Sequence, residues 1–133
     1  MPKSKSQNLE WEDARDVKAE IKNIIKTLDF LHINPNRVFC YRTTGSKVRA
    51  YARTWSFPKI FQRALGVEAA YVIEVLSKYY DNLDADSKKG VLIHELLHIP
   101  KNFSGALVAH HGRNRNLHKD AKKMLEVYLN KTK

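Results

Sequence analysis

The sequence predicts an α+β fold, and three observations carry that prediction. Ala14, Val17, Ile21, Ile24, Ile25, Leu28 and Leu31 recur at steps of three and four, the spacing of one helical face. Segments between residues 37 and 76 are rich in β-branched and aromatic residues or alternate in polarity, as strands do. The block Val91-Leu92-Ile93-His94-Glu95-Leu96-Leu97-His98-Ile99 is apolar enough for a buried helix, yet holds two histidines and a glutamate. The expected architecture is a long N-terminal helix and this internal helix packed on a small, mostly antiparallel sheet, with a helix at the C-terminus.

The first helix is expected over about Glu10 to Leu31 and ends at the turn Asn34-Pro35-Asn36. Arg37 to Arg42 reads as a strand. Thr44-Gly45-Ser46 makes a turn, and Lys47 to Arg53 alternates, so the two strands are expected to pair as a hairpin. Phe57 to Gly66 is a short helix, with Pro58 in its first turn and Gly66 past its end. Ala70 to Leu76 is a third strand. Asp84-Ala85-Asp86-Ser87 offers caps for the His94–His98 helix, which Pro100 stops near Ile99. A loop runs through Gly105. The last helix, about Arg115 to Asn130, buries Leu117, Ala121, Met124, Leu125 and Tyr128.

With 133 residues, the chain suits one domain, residues 1–133, with residues 1–8 as a flexible basic tail rather than a secretory signal. No stretch has the apolar length of a membrane span. Cys40 is the single cysteine, so no internal disulfide forms, which fits the cytoplasm. It also excludes a cysteine-rich zinc site, leaving histidine and carboxylate as ligands. The formal net charge is +10, which favours anionic partners, non-specific nucleic acid first. The charge is spread along the chain without a long basic run. Arg49, Tyr51 and Arg53 would share one strand face able to meet a nucleic-acid backbone and a base.

His94-Glu95-Leu96-Leu97-His98 spells H-E-x-x-H. On a helix, residues four apart share a face about 6 Å apart along the axis, so two imidazoles can grip one Zn²⁺. Glu95 then lies close enough to a coordinated water to take its proton, which is the apparatus of metal-assisted peptide hydrolysis. A surrounding of Val91, Leu92, Ile93, Leu96, Leu97 and Ile99 is not that of a solvated helix, and ionisable groups on a buried helix need partners. Catalytic zinc takes three protein ligands, and the candidates for the third are His110, His111 and His118, with Asp120 and Glu126 behind them. For the oxyanion of the reaction the candidates are His111, Arg113 and Tyr71. A structural or idle zinc site in a basic nucleic-acid-associated module is the competing reading, and a protease of DNA-bound proteins would combine the two.

The order of helix, strands and motif helix is that of compact zincin-type zinc peptidases, in which an edge strand beside the active-site helix takes the substrate by strand addition. Tyr71 to Leu76 is the expected edge strand. The run from His94 to His110, with Tyr71 to Val75 and Trp55 to Gly66 before it, resembles the small phage and archaeal metallopeptidases, which are zincin-like and SprT-like in style. The resemblance covers about Val38 to His110. It implies zinc ligands at His94, His98 and His110, Glu95 as general base, and a peptide or protein substrate.

Overall fold

The computed structural model describes residues 8–112 and 115–133. The tail expected at the N-terminus falls outside them except for Asn8, and so does Arg113. In chain order the elements are β1 (Glu10–Asp13), α1 (Arg15–Thr27), a 3-10 turn (Pro35–Arg37), β2 (Val38–Thr44), β3 (Ala52–Trp55), α2 (Lys59–Leu65), β4 (Tyr71–Leu76), α3 (Ser77–Tyr80), α4 (Ala85–Leu96), β5 (His111–Gly112), β6 (Arg115–Asn116) and α5 (Leu117–Lys131). The fold is α+β. Its main sheet is mixed, in the order β1-β2-β4-β3, and β5 and β6 form a separate two-stranded ribbon.

The first helix is shorter than its periodicity suggests. Glu10 to Asp13 pair antiparallel with Tyr41 to Thr44 of β2. Trp11, the one apolar residue among these four, stays 61% exposed. Ala14 then donates its N–H to Cys40 O, tying the start of α1 to the sheet. At the other end Leu28 caps the helix, Asp29 takes a positive φ of 54°, and Leu31 is left 90% exposed. Leu31 matches the helical spacing by coincidence.

The expected hairpin does not form. β4 inserts between β2 and β3, parallel to the first and antiparallel to the second. The physical reason lies in β4 itself. Tyr71-Val72-Ile73-Glu74-Val75-Leu76 is buried at five of its six positions, as befits a strand flanked on both edges. Lys47 to Ala50 has too little apolar surface to compete and connects β2 to β3 as a loop. Arg49 and Tyr51 therefore do not share a strand face with Arg53, whose guanidinium is paired with Glu74 instead. The sheet's edge beside α4 is β3, and the expectation that Tyr71 to Leu76 forms it is corrected.

One face of the sheet carries the core. Val38 and Cys40 of β2, Ala52 of β3, and Tyr71, Ile73 and Val75 of β4 form a single buried cluster with Val17, Ile21 and Ile24 of α1 and Leu92, Ile93 and Leu96 of α4. Ala121 and Tyr128 of α5 join it. Each such aliphatic side chain stabilises the fold by about 1.5–3 kcal/mol. Burial raises the Cys40 thiol to about 11, so it remains protonated and packs as an apolar group.

Candidate metal centre

Helix α4 positions two of the expected site residues. Its N-cap Asp84 accepts from Ser87 N (3.2 Å) and Ser87 Oγ (2.6 Å), as the sequence of caps suggests. The helix buries Leu92, Ile93, Glu95 and Leu96 against the sheet. It is regular only to Leu96 rather than to Ile99. Beyond that point the last turn tightens: His98 N donates to Glu95 O (3.1 Å) and Ile99 N to Leu96 O (3.1 Å), before Pro100 ends the run. His94 thus stands on the last helical turn and His98 in the tightened turn, with ring centroids 5.2 Å apart.

The third histidine arrives from the loop after Pro100. Phe57 N donates to Gly105 O (2.8 Å), and Gln62 Nε2 donates to both Phe57 O and Ser104 O. The buried Tyr71 hydroxyl accepts from Gly105 N (2.7 Å) and donates to Ala106 O (2.8 Å). Gly105 has φ +99°, and a Cβ there would lie 2.2 Å from Phe57 O, so the loop requires glycine. Val108 N then donates to His98 O (2.7 Å), and Leu117 N to His110 O (3.0 Å). These contacts bring the His110 ring 5.1 Å from His94 and 4.5 Å from His98, centroid to centroid.

One ring nitrogen from each of His94, His98 and His110 lies within 4.8 Å of the others. His98 Nδ1 faces Val108 O at 2.6 Å, so it carries the proton and leaves the Nε2 lone pair free. Burial, with the neighbouring imidazoles of His98, His110 and His118, lowers His94 to about 4, so its ring is neutral at physiological pH. Neutral imidazoles are what a divalent ion needs. Beside them, burial raises the Glu95 carboxyl above the usual carboxylate range, against the opposing pull of the Thr54 hydroxyl and His110. Glu95 is 7% exposed, and Thr54 Oγ1 lies 2.8 Å from its Oε1.

A family model described as "Putative phage metallopeptidase" matches residues 9–126. The chain belongs to this phage metallopeptidase family. Among curated proteins and among solved structures, no match was found. The matched span runs from β1 into the last turns of α5 and contains every residue of the histidine cluster. Membership implies a metal cofactor and a peptide or protein substrate. Among the described residues, no helix is long and apolar enough to cross a membrane.

Of the other residues singled out by sequence, His111 stands exposed in β5 and is not part of the cluster. Asp120 and Glu126 are exposed on α5 and also lie outside it. Tyr71 serves as the loop staple described above. His118, in the first turn of α5, has its ring 5.3 Å from that of His94, closer to the centre than its charged neighbourhood suggests. Sequence reasoning missed Thr54 altogether. Its only trace was the alternation of Ala52 and Thr54, which puts both on the helix-facing side of β3.

Proposed function

We propose that the protein is a zinc-dependent peptidase of the H-E-x-x-H type with a zincin-like arrangement. His94, His98 and His110 are the zinc ligands in this reading, and Glu95 is the general base. The observation that carries it is the convergence of three histidine rings, one nitrogen of each within 4.8 Å of the others, with the buried Glu95 carboxyl adjoining His94 in sequence. Three histidines suit a catalytic rather than a structural zinc, which needs a fourth protein ligand. Zinc held there supplies Lewis acidity, polarising the scissile carbonyl and acidifying a coordinated water.

The chain's own residues do the rest. Glu95 accepts the proton of the attacking water and returns it to the leaving amine. Its burial favours that role, because a carboxylate whose proton affinity is raised by desolvation takes the proton of water more readily than a solvated one. Among the described residues, β3 lies at the sheet edge beside α4 and pairs on one side only, with β4. An extended peptide added to its open side would run past Glu95. This assigns to β3 the substrate role expected of Tyr71 to Leu76.

Purified protein loaded with zinc and offered a peptide library tests the reading. We expect one zinc per chain, cleavage abolished by chelator, and a Glu95→Gln variant that binds zinc normally and cleaves nothing. A zinc-loaded wild type without cleavage, or a Glu95→Gln variant with undiminished activity, would overturn it.

A further inference from the structure

We infer that the Thr54 hydroxyl is the positioning residue for the Glu95 carboxylate, fixing which oxygen faces the attacking water. The inference rests on the peptidase reading above and adds to it a residue of β3. Thr54 Oγ1 lies 2.8 Å from Glu95 Oε1 and 3.1 Å from Glu95 O. Among the described residues it is the one hydrogen-bond donor to that carboxylate, which is 7% exposed.

A hydroxyl has one proton and here two acceptors. The ionised carboxylate is the nearer and the stronger, so the proton goes to Oε1. That bond stops the carboxylate rotating and leaves Oε2 as the oxygen with no donor from the chain. Oε2 is then the atom that receives the water's proton. The backbone of Thr54 is itself held in register with Ile73 of β4. The same residue therefore locks the base to the strand on which a substrate would align, so that base and scissile bond share one frame. Misplacing a reacting group by an ångström costs on the order of 100-fold in rate.

Three variants decide it. Thr54→Val replaces the hydroxyl by a methyl of nearly the same shape, Thr54→Ser keeps the hydroxyl and drops the methyl, and Glu95→Gln is the inactive control. On a fluorogenic peptide chosen from the wild-type library cleavage, Thr54→Val should lower kcat by about 10- to 100-fold, the usual effect of losing such a partner. KM, zinc stoichiometry and melting temperature should stay near wild type, and Thr54→Ser should recover most of kcat. Unchanged kcat in Thr54→Val overturns the inference. So does an equal loss in Thr54→Ser, which would make the methyl contact the active element. Crystal structures of zinc-loaded wild type and Thr54→Val give a reading independent of turnover. A Glu95 carboxylate swung away in the variant supports the role, and an unmoved one overturns it, even if the wild type cleaves no peptide and the peptidase reading alone has failed.

Discussion

Two adjacent histidines, His110 and His111, differ in what the fold does with them. Only His110 joins His94 and His98, its carbonyl held by Leu117 N–H at the start of α5. His110→Ala should therefore weaken zinc binding by more than the about 10- to 100-fold typical of losing a ligand's outer partner. His111→Ala should leave it unchanged. Competition against a chromophoric chelator checks both. The H-E-x-x-H residues were legible because one helical turn fixes their relation from sequence alone. His110 needed the family resemblance, since eleven residues of loop separate it from His98 and no periodicity relates them. Thr54 left almost no mark, because a hydroxyl on a strand has many ordinary roles and its partner lies 41 positions away.

Among the elements, the loop from Pro100 to His110 determines whether the site is assembled. Gly105→Ala would place a methyl against Phe57 O and force an unfavourable φ, a loss of about 2–4 kcal/mol in chemical denaturation. Tyr71→Phe removes the hydroxyl that accepts from Gly105 N and donates to Ala106 O, and should cost about 1–3 kcal/mol. Both variants should also bind zinc more weakly, because the loop delivers His110. Helices α4 and α5 were readable from caps and apolar spacing. The insertion of β4 between β2 and β3, in place of the expected hairpin, was not, because local alternation says nothing about a later strand that takes the same edge. Likewise Glu10 to Asp13 became β1 through pairing with β2, a contact made across about thirty residues of chain.

At the scale of the whole molecule, the α+β class followed from the mixture of periodicities, whereas strand order followed from burial that only the folded chain reveals. The outer face of the sheet shows this best. A groove there is lined by Trp11, Tyr41, Trp55, Val72 and Glu74. Burial alone would raise the Glu74 carboxyl, but Arg53 Nε (2.7 Å), the Thr43 hydroxyl and Trp55 Nε1 (2.8 Å) donate to it and hold it below its ordinary value. Its contribution is therefore complete above the unfolded-state value of about 4.3 and is lost as pH falls through the lower folded value. Acid unfolding should steepen there, and Glu74→Gln should flatten that part of the stability–pH curve. Zinc at about 100 times its dissociation constant should add about 2.7 kcal/mol, or about 10 °C in melting temperature for a chain of this length, and chelator should remove it.

The placement of the two indoles has a practical consequence. Trp11 and Trp55 are the only tryptophans, and both lie in that outer groove rather than near the histidines. Intrinsic fluorescence of this protein is thus an optical report on the solvent side of the sheet. It should respond when the Trp55–Glu74 bond is broken by acid, and stay nearly silent while zinc comes and goes on the opposite side.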